Sequence, residues 1–204
     1  MTRWKSLMTM AAMLTIGTAS AAAADIEAGK PAPNFSAQDA SGKTRSLSEF
    51  NGKFVVLEWF NPDCPFSKKQ YDSGTIQQLQ KQSTDKGVVW LTIDSSAPGK
   101  QGHLTGEQAQ AVIAERKASP TAVLLDPDGA VGKLYGAKTT PHMFVIDPKG
   151  VVIYHGAIDD QPTLDAAAAK NAHNYVQTAL DEAMAGKPVT VKPTQPYGCS
   201  VKYQ

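Results

Sequence analysis

The stretch that most restricts how this chain folds runs from Phe54 to Pro65. Its first part, Phe54-Val55-Val56-Leu57-Glu58-Trp59-Phe60, is short, continuous, β-branched and aromatic, which reads as a strand buried on both faces. Asn61-Pro62-Asp63 is turn chemistry. Pro65 then opens a helix, where a missing N–H does no harm, and the residues suit that helix to about Gln82. Cys64 therefore stands at a helix N-terminus, delivered there by a buried strand.

The remaining elements alternate. Val88–Ile93 reads as a strand, and Gly106–Lys117 as a helix with Ala109, Val112 and Ile113 on one face. Ala122–Leu125 is a strand, Val131–Tyr135 a short helix and Met143–Ile146 a strand. Asp147-Pro148-Lys149-Gly150 is a hairpin turn into the strand Val151–Tyr154. The spacing of Leu164, Ala168, Tyr175, Ala179 and Met184 predicts one alanine-rich helix from about Leu164 to Ala185, ended by Gly186 and Pro188. Strand and helix in alternation predict an α/β domain with a central mixed sheet flanked by helices, over residues 25–186. Residues 187–204, with Pro193, Pro196 and Gly198 and no period, predict an extended tail carrying Cys199.

The first 24 residues have a different character. Arg3 and Lys5 precede an apolar run from Leu7 to Ile16, and Ala22-Ala23-Ala24 follows, the pattern of a cleavable secretory signal peptide. The run is shorter than the roughly 20 residues a spanning helix needs. The expectation is an exported, periplasmic protein with no membrane attachment after cleavage. Without Arg3 and Lys5 the 204-residue chain carries 18 basic and 19 acidic residues, mixed without blocks, which argues against nucleic acid as a partner.

An exported chain meets oxidising conditions, and this one has two cysteines, Cys64 and Cys199. They can be a structural staple, a redox couple or two unrelated thiols. A free thiol is only about 3% ionised at neutral pH, but the N–H groups and positive dipole end of a helix favour the thiolate. Ser67 stands where a redox dithiol would place its second cysteine, so resolution of an adduct on Cys64 falls to Cys199 or to an external thiol. Glu58 either reaches the sulfur as a buried proton carrier or turns toward water and Lys53. A permanent Cys64–Cys199 staple would be worth about 5 kcal/mol.

No phosphate-binding glycine loop or paired-histidine metal motif occurs, and Asp126 and Asp128 lack the further acids of a calcium loop, so neither cofactor nor metal is expected. His142, beside Pro141, would form with Cys64 only a weak metal site of one thiol and one histidine. His103, His155 and His173 carry no motif. Lys68 and Lys69 read as a solvated helix face that also favours the thiolate.

The strand, the cysteine with proline behind it and Thr140-Pro141 ahead of a strand resemble the thioredoxin superfamily over about Gly29 to Ala185. More closely, Asn61-Pro62-Asp63-Cys64-Pro65-Phe66, Tyr135-Gly136-Ala137 with Thr140-Pro141-His142, Gly156-Ala157-Ile158-Asp159-Asp160, and Pro196-Tyr197-Gly198-Cys199-Ser200-Val201-Lys202-Tyr203 resemble the bacterial peroxiredoxin-like redoxins related to AhpC/TSA. The resemblance implies a thioredoxin-like fold, Cys64 as attacking thiol, Glu58 as the buried acid and Pro141 as a cis proline beside the sulfur. Thr140, Pro141, Pro65 and Phe66 are then the substrate-binding surface, and a protein or small-molecule thiol or disulfide the partner. The implied function is exported thiol-disulfide exchange resolved by Cys199. Two alternatives stand beside it: an antioxidant thiol peroxidase, and a non-enzymatic binding module with a Cys64–Cys199 staple. Peroxiredoxins carry a proline and a threonine where this chain has Leu57 and Asn61, and a later arginine where none follows Arg116, so slow peroxidase chemistry is expected.

Overall fold

The computed structural model describes residues 26–204; the expected leader, residues 1–24, lies outside the described residues. Along the chain come β1 (Ser36–Asp39), β2 (Thr44–Ser46), a 3-10 turn (Leu47–Phe50), β3 (Val55–Trp59), α1 (Pro65–Asp72), α2 (Thr75–Asp85) and β4 (Val89–Asp94). There follow α3 (Gly106–Glu115), β5 (Ala122–Leu125), α4 (Ala130–Leu134), β6 (Thr139–Thr140), β7 (His142–Ile146) and β8 (Val152–Gly156). α5 (Ala166–Lys170), α6 (Tyr175–Met184) and β9 (Cys199–Ser200) complete it. Among the described residues no helix is long and apolar enough to cross a membrane.

Seven strands form one mixed sheet in the order β2-β1-β5-β4-β3-β7-β8. β3 pairs in parallel with β4 and antiparallel with β7, so the strand that ends before Cys64 lies inside the sheet. Because successive side chains point to opposite faces, β3 feeds two cores. Val55, Leu57 and Trp59 join Leu91, Ile93 and Phe144 on the face covered by the 3-10 turn and α4. Val56 and Phe60 join Trp90, Met143 and Val145 on the face covered by α1, α2, α3 and α6. Each such fully buried aliphatic side chain is worth roughly 1.5–3 kcal/mol against exposure. The fold is thioredoxin-like, with helices on both sides of the sheet.

Two expected helices are divided. The one read from Pro65 to Gln82 breaks at Gly74, whose left-handed φ of 82° lets α1 end and α2 begin in a new direction. The alanine-rich helix splits because Asp165 and Asn174 each cap a new start, accepting from the backbone N–H of Ala167 and Gln177. Its expected stripe is only partly kept: Ala179 is buried as expected, but Leu164 and Met184 are 57% and 37% exposed, and Val176 and Leu180 are buried instead. The β1–β2 hairpin, too polar to be read from the sequence, is tied by Asp39, which accepts from Ser41 N–H, Lys43 N–H and Arg45 Nε at 2.9–3.0 Å.

The tail is extended as expected, and it is also fastened to the body. Ala157 N–H and the Tyr154 hydroxyl bond Thr194 Oγ1 at 2.9 and 2.7 Å. β9 pairs antiparallel with β6, Thr139 opposite Ser200 and Thr140 opposite Cys199. Ala97 N–H donates to Lys202 O at 2.8 Å, and Tyr203 Oη to Ala137 O at 2.9 Å.

Candidate functional site

Cys64 is the N-cap of α1, in extended backbone (φ −77°, ψ 122°), with Pro65 at the first helical position. The turn that carries it is braced from three sides. Asn61 Oδ1 accepts from Asp63 N–H at 2.8 Å, and Asn61 Nδ2 donates to Gln101 O at 3.0 Å. Gly102, at φ +82°, packs so closely that a Cβ there would lie 2.1 Å from the Asn61 side chain. Arg116 Nη2 donates to Pro62 O at 2.7 Å, with its guanidinium over the rings of Phe60 and Tyr71. Nothing in the local sequence marks Arg116, because the carbonyl it holds lies 54 residues away.

Cys64 is 1% exposed, and its Sγ–H reaches Thr140 O at 2.9 Å. The Thr140–Pro141 bond is cis. Since Thr140 is the register partner of Cys199, the tail thiol lies across the same residue that touches Cys64. Both cysteines are unbridged, Cys64 buried and Cys199 partly exposed.

The two thiols are pushed in opposite directions. Burial works to raise the Cys64 pKa, but hydrogen bonds from the Cys199 thiol, the Thr140 side-chain hydroxyl and the backbone N–H groups of Ser67 and Cys199 outweigh it, and the net shift is downward. Burial, then the hydrogen bond and charge of Cys64, push Cys199 up to about 11. Of the two thiols, Cys199 therefore holds its proton the more tightly and Cys64 is the stronger acid.

Glu58 is 1% exposed on β3, facing the same side of the sheet as α1. It accepts from Tyr71 Oη, Gln80 Nε2, Trp90 Nε1 and Thr92 Oγ1 at 2.8–3.2 Å. Burial raises its pKa against the pull of these four donors. It does not turn toward Lys53, and none of its hydrogen bonds goes to Cys64.

Phe66 stands on the first turn of α1 with its ring edge-on to Tyr197 of the tail, centroids 5.7 Å apart. Lys68 is exposed and pairs with Asp72 at 2.9 Å. Lys69 is not a solvated neighbour as the sequence suggested: it is 2% exposed, and its Nζ donates to Gln161 O at 2.6 Å and Tyr197 Oη at 3.2 Å. Its partners lie more than 90 residues away, beyond the reach of any local pattern.

His142 accepts on Nδ1 from Lys138 N–H at 3.3 Å, which leaves its proton on Nε2. Burial, then the charges of His155 and Lys138, lower its pKa to about 3, so the ring stays neutral. Among the described residues no three His, Cys, Asp or Glu side chains are grouped to hold a metal ion.

Residues 28–155 match the family model described as the AhpC/TSA family. A thiol-disulfide oxidoreductase, ResA, of Bacillus thuringiensis is 29% identical over 128 residues, spanning 63% of this chain and 68% of the relative. A chloroplastic peroxiredoxin Q of Triticum aestivum is 29% identical over 137 residues, 63% of this chain and 58% of the relative. The solved structure of a hypothetical protein from Sinorhizobium meliloti superposes with a TM-score of 0.75 at 24% identity, covering 89% of this chain and 97% of that one, which supports the fold.

Proposed function

The chain belongs to the AhpC/TSA family, and from that footing we propose that it is a thiol-disulfide oxidoreductase in which Cys64 attacks and Cys199 resolves. The observation that carries this reading is the placement of Cys199 opposite Thr140, whose carbonyl receives the Cys64 thiol. The Cys64 thiolate attacks one sulfur of a substrate disulfide, forming a mixed disulfide and releasing the other substrate thiolate. Cys199 gives up its proton and attacks the Cys64 sulfur, so the second substrate thiolate leaves and the Cys64–Cys199 bond closes. Two electrons pass from the two protein thiols to the substrate, and an external dithiol restores them.

In this reading Thr140, Pro141, Pro65 and Phe66 border the approach to the sulfurs. Glu58 assists proton transfer through the buried polar groups under α1. The substrate is a protein or small-molecule disulfide. The leader pattern with Arg3, Lys5 and Ala22-Ala23-Ala24 supports action in an exported, periplasmic space, where thiol exchange has a use.

The similarity to peroxiredoxin Q favours thiol peroxidase as a second reading. The two are separated by reacting reduced protein with glutathione disulfide and with hydrogen peroxide at one pH. Exchange predicts that disulfide consumes both protein thiols while peroxide reacts no faster than a free thiol at matched ionisation. Fast loss of thiol to peroxide, with inertness toward the disulfide, would replace this reading by the second.

A further inference from the structure

The tail is joined to α1 by a buried polar cluster that neither fold nor sheet pairing requires. Tyr197 Oη donates to Asp159 Oδ1 and accepts from Lys69 Nζ and Gln70 Nε2, each at 3.2 Å. One donated and two accepted bonds exhaust what a phenol can make. Gln70 Nε2 also donates to Asp159 Oδ2 at 2.6 Å, and Lys69 Nζ stands 4.0 Å from the same carboxylate, both charged side chains being fully buried. Buried ion pairs of this kind are poor stabilisers compared with apolar packing, and their best-attested use is to fix one arrangement against others.

What this cluster fixes is the place of Cys199. Lys69 and Gln70 belong to α1, the helix that Cys64 caps, and Tyr197 lies two residues before Cys199. Between them Gly198, at φ +137°, runs so close to the cis-proline turn that a Cβ would fall 2.1 Å from Thr140 O. The tail backbone therefore passes against Thr140 with no slack. Its sideways position is set at the Tyr197 hydroxyl on one side and by the Val201 N–H bond to Lys138 O, 3.1 Å, on the other.

We propose that Tyr197 is a positioning residue for resolution: anchored on Asp159, Lys69 and Gln70, its hydroxyl holds Cys199 at Cys64 so that ring closure outruns attack by external thiols. This inference rests on the exchange reading and adds the residue that sets the effective concentration of the resolving thiol. Loss of the hydroxyl leaves the Phe66 contact to the ring and the β6–β9 pairing in place but loosens the tail on the α1 side of Cys199, so closure loses part of its advantage of proximity.

The test is Tyr197→Phe in the full chain, equilibrated in graded glutathione buffers and read by intact mass after trapping free thiols, with Asp159→Asn as a second variant that keeps Tyr197. Wild type is expected to pass directly between dithiol and internal bridge. Both variants, with circular dichroism spectra like wild type, are expected to lower the effective concentration of Cys199 about tenfold or more and to accumulate glutathione on Cys64. A loss of stability alone would leave this partition unmoved. Variants that close as wild type does would overturn the positioning role while leaving exchange intact. A wild type that forms no internal bridge would overturn the exchange reading, and this inference with it.

Discussion

Cys64→Ser is expected to reduce the reaction of the dithiol protein with a small disulfide by at least about 10³-fold, to the rate of the buffer alone. Serine at the N-cap keeps the helix start but not the acid, because a hydroxyl is a far weaker acid than a thiol whose pKa is drawn below its ordinary value. Cys199→Ser is expected to behave differently. Its first attack is retained, and the cycle stops at a mixed disulfide on Cys64 that accumulates in mass spectra. The contrast follows from the opposed shifts of the two thiols, the lowered one at the helix tip and the other raised to about 11. Accumulation of adduct on Cys199 in Cys64→Ser, with turnover preserved, would reverse the assignment of roles.

Glu58→Ala is expected to destabilise the fold by about 3–5 kcal/mol in urea unfolding at pH 4. The substitution opens a cavity against β4 and α2, and it strands the buried donors on Tyr71, Gln80, Trp90 and Thr92. The pH dependence carries a sign. Burial raises the folded pKa of Glu58 above its unfolded value. In the interval between the two, the native state holds a proton that the unfolded chain has released, so this contribution is full below the unfolded pKa near 4.3 and declines as pH rises through the folded one. The difference between wild type and variant should therefore narrow from pH 4 upward. A gap that widens with pH would mean that the four donors, and not burial, govern the carboxyl.

The strand, the turn and the helix tip that place Cys64 were all legible in the sequence, because each depends on neighbours in the chain. A continuous β-branched run needs only its own composition, and Pro65 only its own ring. The cis bond at Pro141 was legible only through resemblance, since local residues set no such preference. The breaks at Gly74 and Asn174 were missed although Gly and Asn are helix punctuation, because periodicity on either side outweighed one residue. The β1–β2 hairpin was hidden by its polarity: an edge pair with one open side needs few apolar residues.

Three contacts of the candidate site had no local signal, even where, as for Cys199, the residue itself was singled out. Arg116 meets Pro62, Lys69 meets Gln161 and Tyr197, and Cys199 meets Thr140, each across more than 50 residues. Two lysines in succession on a helix read as solvent-facing, and the sequence cannot say that one of them will find Asp159 and a phenol. The tail reads as loose for the same reason. It lacks a period because its position is set by Thr194, Tyr197 and Tyr203 contacting other elements, not by a repeat of its own.

Whether Cys64 and Cys199 form a redox couple is decided by intact mass, with free thiols trapped, after equilibration of the wild-type protein in graded thiol/disulfide buffers. The expected result is loss of two hydrogens as one internal Cys64–Cys199 bridge, opening between about −120 and −270 mV, where dedicated exchange proteins work. A bridge that resists reduction below roughly −300 mV would make the pair a structural staple and the chain a binding module, contradicting the exchange reading.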